Sequence, residues 1–508
     1  MLINKIYWIH LLIFIFIKFE GFSQTKVEVG EQSEIVNIGK SKQLFIDDAL
    51  IDFSNDVDFE MHSPYSGGEE LLIADLPFEK GGYVYLYSSV LKDKESDKVK
   101  IWYDFFRPKS EDNPYDHDRH IGYAESNDGI YFVKPSLGLH SIDGSKKNNV
   151  VIPGMIGGSS VWQDPKASPE NRYKTQAKVY PSGKFYMHSS PDGIHWNLYS
   201  DIDPRGPHDT QTIIFWDESL QEYLFYGRYF LENNGIRQRG VRRAIMSNNF
   251  SDIKNTGLAI LPDIQDKSKY SDVQERGNTV DYYGATVFIY EDVYIMLAQS
   301  FWHWNPNTEY QGTEEPGMRD IRLAVSRNSI DFKRVGERRP FMSPGPLGRF
   351  DSKQIWAMPN PIIMGDEIWI YYCGVNWDRA GRVDPYAEGG KKEAAISRAI
   401  LRLDGFVSLN ASYNGKGEVV TKPIIFSGNS LELNADTGAG GSIRVEILDN
   451  DGNIISGFTK EECDWVVGNS VRHLVNWNSK EDLEDLNGQP IRLRFLMRDC
   501  ELYSFQFK

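Results

Sequence analysis

The chain has 508 residues, a net charge of −16 and three cysteines. So acidic a chain shows no basic face for a phosphate backbone, and a nucleic-acid partner is not expected. With 40% hydrophobic and 25% charged residues it can build a large core, while an odd, sparse set of cysteines excludes a disulfide framework. Cys463 and Cys500 lie late in the chain and can either pair or stay as two buried thiols.

The first 23 residues carry Lys5, an apolar run over 6–17 and the small-residue exit Gly21-Phe22-Ser23. This is the pattern of a signal peptide and implies a secreted or periplasmic protein. The run is short for a spanning helix, and the charged residues Lys18 and Glu20 stop it from extending. No stable membrane anchor is therefore expected. Residues 25–40 read as a polar lead-in. Residues 43–51 read as a strand broken at Asp47 and Asp48.

Beyond that point β-type alternation returns in sets. The first set is 83–87, 100–106 and 120–125. The second is 159–163, 173–180 and 184–189. The third is 210–216, 223–226 and 242–247. The fourth is 284–290, 293–300 and 321–326, and the fifth is 361–364, 367–372 and 395–403. Long helical periodicity is missing. The sets are marked off by a repeated phrase. Ser126-Asn127-Asp128-Gly129-Ile130-Tyr131-Phe132 returns as Ser190-Pro191-Asp192-Gly193-Ile194-His195-Trp196 and, worn, as Ser326-Arg327-Asn328-Ser329-Ile330-Asp331-Phe332. Ser247-Asn248-Asn249-Phe250 and Arg402-Leu403-Asp404-Gly405-Phe406 are weaker echoes. A short polar side chain beside a permissive residue makes a tight turn. Recurrence at roughly 55–80 residues indicates five copies of one supersecondary unit. Because they recur, the phrase aspartates read as turn residues and not as chemistry.

Five successive antiparallel sheets imply an all-β chain, with a five-bladed β-propeller over 40–420. After residue 420 the texture changes to short strands and hairpin turns. Residues 421–508 read as a small C-terminal β-sandwich.

In a propeller, ligands sit where the innermost strands begin, so polar residues at those starts are the site candidates. They are Glu79 in the first unit and His208-Asp209 in the third. The fourth offers Asp281 with Tyr282, Glu275 and Arg276, and the fifth offers Asp351 with Gln354 and Trp356. Four carboxylates at equivalent positions would share one cavity. Cleavage of a glycosidic bond needs such a set, one group protonated and one ionised. Like charge nearby raises the pKa of the acid. Asp209 and Asp351 are the leading pair. Trp302 and His303 enter a long loop and are candidates to line the rim. Arg319 and Arg322 would suit a carboxylated or sulfated sugar if both face it. No phosphate loop, Gly-x-Ser-x-Gly elbow or His-Glu-x-x-His is present. No cofactor is called for, and Ca²⁺ on axial carboxylates is compatible with the pattern.

Leu44-Phe45-Ile46-Asp47-Asp48, Tyr123-Ala124-Glu125-Ser126-Asn127-Asp128-Gly129-Ile130 and residues 401–409 resemble segments of the five-bladed β-propeller glycoside hydrolases. That group includes invertases, arabinanases and β-xylosidases. Within it the chain looks most like bacterial proteins described as glycosyl hydrolase family 32 N-terminal-like, or family 43-like. The resemblance implies a secreted hydrolase acting on a polysaccharide or oligosaccharide. The invertase signature Trp-x-Asn-Asp-Pro-Asn-Gly is absent, and Glu462-Cys463 lies outside the context of that family. No catalytic residue is therefore carried over. A non-catalytic carbohydrate-binding propeller and a sialidase-like hydrolase stand as alternatives.

Overall fold

The computed structural model describes residues 27, 33–109, 117–156, 159–179, 184–202, 210–233, 236–263, 265–266, 280–303, 317–478 and 482–508. The expected signal segment falls outside them. Among the described residues the chain is β-strand joined by turns and short 3₁₀ segments, and no helix is long and apolar enough to cross a membrane.

Between residues 83 and 402 the strands form four hydrogen-bonded sheets, the last of eight strands. Its two antiparallel halves, over 280–334 and 354–402, are joined by one parallel bridge and count as the fourth and fifth sheets, so that the strand sets lie close to the five predicted ones. The long strands of the first are Val99–Pro108 and His117–Ser126, and those of the second are Tyr173–Val179 and Phe185–Ser190. In the third, Glu222–Asn233 pairs with Ile236–Met246. In the fourth, Val280–Tyr290, Val293–His303 and Gly317–Ser326 run as a meander. In the fifth, Glu367–Val375 lies between Gln354–Ala357 and Ala394–Arg402. The outer edge of the fifth sheet is closed from far away in sequence, since Tyr65 bridges Ile400 and Leu72 bridges Ile396.

The strands are apolar on both faces because each sheet is covered on both faces. Along Val293–His303, Ile295 and Leu297 pack toward the fifth sheet with Ile355 and Ile370. The intervening Tyr294, Met296 and Ala298 pack toward the third with Leu224 and Tyr226. This is the two-residue period of a strand serving two cores at once. Separate cores likewise join the first sheet to the second and the second to the third. Another joins the fifth back to the first through Tyr371, Ile396, Tyr103 and Val84. The fifth sheet thus packs against the first.

Side-chain hydrogen bonds also link neighbouring sheets. Ser89 Oγ accepts from Val161 N at 2.9 Å, and Ser160 Oγ donates to Thr212 O at 2.7 Å. Gln299 Nε2 donates to Gln211 Oε1 at 2.9 Å, and Thr286 Oγ1 to Ala357 O at 3.0 Å. Asn360 Nδ2 reaches both Val90 O and Val161 O at 3.3 Å. These groups are polar yet mostly buried, and the hydrogen bonds offset the cost of taking them out of water.

The repeated phrase is a turn between the third and fourth strands of a sheet. Ser126 Oγ accepts from Gly129 N at 2.9 Å, while Asp128 Oδ1 accepts from Ile130 N at 2.8 Å and Tyr131 N at 2.9 Å. Ser190 and Asp192 repeat the pattern at 2.9, 2.8 and 2.8 Å. The last copy has been put to another use. Asp404 is 2% exposed and accepts from Lys42, Tyr290, Ser504 and Asn434. It ties the fourth sheet to the C-terminal unit.

That unit is two packed six-stranded sheets around one core, and its membership differs from the expected span of 421–508. Strands Val36–Gly39, Gln43–Leu44, Ile51–Asn55 and Asp58–Met61 join it, as do Val407–Ala411 and Gly417–Thr421. Strand pairing over hundreds of residues leaves no local composition signal. The strand expected over 43–51 is therefore two, separated by the bend at Asp47 and Asp48. All three cysteines are free and buried, so Cys463 and Cys500 are not paired.

Candidate active site

Among the described residues, a cluster of arginine, aromatic and carboxylate side chains gathers around the start of Gly317–Ser326. Arg319, on Gly317–Ser326, is its centre. It is 2% exposed, and its guanidinium carbon lies 4.2 Å from the Tyr283 ring, 4.6 Å from Phe301 and 5.0 Å from Trp356. Its Nη1 donates to Gln354 Oε1, across the single parallel bridge that joins the fourth and fifth sheets. Gln354 Nε2 in turn donates to Trp377 O at 2.7 Å.

Other sheets converge on this point. From the third sheet, Arg228 and Arg239 lie 4.4 and 5.2 Å from the Tyr283 ring. From the first, Tyr85 stacks on Trp377 with centroids 6.0 Å apart and planes at 11°. The Tyr85 phenol is raised by burial and sits in the opposing field of Arg319, Arg379 and Arg119. Behind it, fully buried Asp104 is paired with Arg119, whose Nε donates to Oδ1 at 3.2 Å. Burial outweighs that pairing and pushes the Asp104 carboxyl up to about 6.

Tyr283 feels opposing forces. Burial favours the neutral phenol, yet Arg319, Arg379, Arg228 and Arg239 bring it down to about 8. Arg319 itself is pushed down to about 10, by burial first and also by Arg379, although Tyr283, Tyr87 and Tyr85 act the other way. Positive charge is crowded here in a low-dielectric, aromatic-walled site, where charges interact more strongly than in water.

The predicted residues divide. Asp281 belongs to the cluster: it is 6% exposed, accepts from Arg239 N at 2.9 Å and pairs with Arg239 Nη1 at 3.1 Å. Gln354, Trp356 and Arg319 belong to it as well. Glu79 does not join them. Fully buried, it accepts from Asp75 N, Leu76 N, Lys134 Nζ and Tyr103 Oη at 3.0, 2.9, 2.7 and 2.6 Å. Three of these bonds converge on Oε2 and one on Oε1, and the side chain fastens the turn before the first sheet. Asp351 is 2% exposed and is held by Tyr372 Oη at 2.7 Å and Arg349 at 3.1 Å. Its sequence position before a first strand is as expected, but its carboxylate serves the packing of the fifth sheet. The partners that hold Glu79 and Asp351 thus differ from the Arg239 that holds Asp281.

Arg322 is a further correction. It lies three residues from Arg319 on one strand, so the two point to opposite faces. Arg322 pairs with Asp320 at 3.1 Å and lies 5.0 Å from the Trp302 ring, whose Nε1 donates to Asp320 at 2.9 Å. Tyr282 is 1% exposed in the core between the third and fourth sheets, where it accepts from Arg334 at 3.1 Å. Its neighbour Tyr283 faces the cluster instead, next to a register shift between Tyr282 and Gly284. His208, Asp209 and Arg276 lie outside the described residues, as does the His303 side chain.

Sequence reasoning missed Tyr85, Asp104, Arg119, Arg228, Arg239, Tyr283, Trp377 and Arg379. Most sit within strands or past a strand end, where only the strand phase, counted from the repeated turn, would have revealed them. For the expected Ca²⁺ alternative, no group of three His, Cys, Asp or Glu side chains among the described residues is placed to hold a metal.

No family model matches the chain, and no curated protein matches it. Solved structures do. A β-1,2-mannobiose phosphorylase from Listeria innocua, in complex with β-1,2-mannobiose, is 13% identical over 68% of this chain and 97% of its own, with a TM-score of 0.44. A glycosyl hydrolase from Bacteroides ovatus is 10% identical over 72% and 97%, with a TM-score of 0.40. An N-acetylgalactosamine deacetylase from F. plautii, in complex with blood group B trisaccharide, is 12% identical over 74% and 96%, with a TM-score of 0.30. At scores this low, none of those activities transfers to this chain.

Proposed function

We propose that the five sheets are the blades of a five-bladed β-propeller and that the chain is a secreted glycoside hydrolase acting at the mouth of the propeller axis. The observation that supports this is the convergence around Arg319 of side chains from four sheets: Tyr85, Arg228, Tyr283 and Trp356. Aromatic walls beside fixed charges suit a sugar, whose ring faces stack while its hydroxyls bond. Asp281 is the carboxylate on this cluster. Asp209 is its intended partner, because it precedes Thr210 in the chain and Gln211 is anchored by Gln299 of the next sheet. One acts as acid and the other as base or nucleophile. Asp104 positions Arg119 from behind.

The test is turnover of a panel of plant and algal glycans by the purified protein, with Asp281→Asn and Asp209→Asn. Each variant is expected to lose at least about 100-fold in rate, the scale of acid–base assistance. Cleavage that survives both substitutions would overturn the assignment. Sugar binding without cleavage by any form would favour a carbohydrate-binding propeller.

A further inference from the structure

The arginines of the mouth are not equivalent. Arg239 is neutralised by Asp281 and Arg119 by Asp104. Arg319 is the most buried of the three, yet among the described residues no carboxylate pairs with it. Its Nε is buried without a hydrogen-bond partner, and so is the Nε1 of Trp356 beside it. A guanidinium does not give up its proton in a protein, and an uncompensated buried charge is strongly unfavourable. Gln354, a neutral amide, offsets only part of that. Arg379 adds like charge, and the Arg228 guanidinium lies on the same Tyr283 ring. The chain as a whole carries −16, so this positive point is local and opposed to the net charge.

We propose that Arg319, assisted by Arg228 and Arg379 around Tyr283, forms a subsite for an oxyanion, best matched to the carboxylate or sulfate of an acidic sugar. The inference rests on the mouth being the substrate site. The planar fork of arginine matches two oxygens of such a group, while Trp356 and Phe301 exclude water from the pair. The bound anion would supply the compensation that the protein omits. A neutral sugar would leave the charge unmet, so discrimination against it comes from the protein's own unsatisfied donors.

Calorimetric titration of the full chain with D-galacturonate, D-galactose and inorganic phosphate tests this. Galacturonate is expected to bind at least tenfold more tightly than galactose. Arg319→Gln is expected to lose that preference, with Arg319→Lys intermediate because the charge stays and the fork goes. The ligand-free Arg319→Gln protein is expected to melt no lower than wild type, whereas a purely structural arginine would lower the melting point. Phosphate binding without galacturonate binding would support the oxyanion site and assign it to a free anion. Equal affinity for galacturonate and galactose, no binding of either anion, or unchanged preference in Arg319→Gln would overturn the proposal. Cleavage of neutral glycans without anion binding would sink the subsite alone. Anion binding with no glycan cleaved would sink only the hydrolase.

Discussion

Tyr283 reports the field of the Arg319 cluster directly, and Arg319→Gln is the perturbation to make. The Arg319 guanidinium carbon is 4.2 Å from the Tyr283 ring. At about 4 Å and an effective dielectric of about 20, two unit charges interact by roughly 4 kcal/mol. That is enough to overcome burial, since one pKa unit corresponds to about 1.4 kcal/mol. In wild type the surrounding arginines bring the phenol down from 10.0 to about 8. The unfolded chain keeps the ordinary tyrosine value, so this group adds nothing to stability below pH 8. Its contribution grows between about 8 and 10 and is complete above 10, at most about 3 kcal/mol. Removing Arg319 raises the Tyr283 pKa and reduces that gain. Ultraviolet absorbance of the phenolate is monitored from neutral to alkaline pH in wild type, Tyr283→Phe and Arg319→Gln. Wild type minus Tyr283→Phe should show one transition near 8, and that transition should move up in Arg319→Gln. A difference curve centred at 10 or above, or one unmoved by Arg319→Gln, would refute the reasoning.

Three other outcomes are expected. Gly129→Ala should cost about 1–3 kcal/mol in urea unfolding, because φ is +74° and a Cβ would lie 2.6 Å from the Tyr371 hydroxyl that donates to Gly129 O. Asp104 binds its proton in the folded state up to about pH 6, against 3.8 normally. Stability from this group therefore falls as pH rises through the window between those values, by up to about 3 kcal/mol; urea unfolding across pH 4–7 should lose that slope in Asp104→Asn. Asp351→Asn leaves Tyr372 and Arg349 with a weaker partner, so the melting point should drop by the equivalent of about 1–3 kcal/mol. Turnover per folded molecule should stay near wild type, whereas loss of turnover at full stability would return Asp351 to the site.

The repeated turn was the most informative stretch of sequence. Ser126, Asp128 and Gly129 need only their own neighbours to form it, so their residue types predict it. The strands are legible for the same local reason. The carboxylate ring was less legible. Glu79 and Asp351 stand at the right places in the chain, but a carboxylate before a strand can turn outward to a substrate or inward to a Tyr, Lys or Arg. That choice belongs to its neighbours in space. Arg319 and Arg322 could have been separated from sequence, since three residues along a strand reverse the face. The shift that exchanges Tyr282 for Tyr283 could not, because a bulge is set by the partner strand.

By itself, then, the sequence determined an all-β chain of five repeated units with a hairpin-rich C-terminal portion, because alternation and turn chemistry are properties of adjacent residues. The tertiary structure alone decided three things. Residues 65–72 close the fifth sheet, and residues 36–61 enter the C-terminal unit, both by pairing across more than 300 positions. The third is the burial of Arg319 with no carboxylate partner among the described residues. Its burial is the work of Tyr283, Phe301 and Trp356, and the junction of the fourth and fifth sheets brings those rings together.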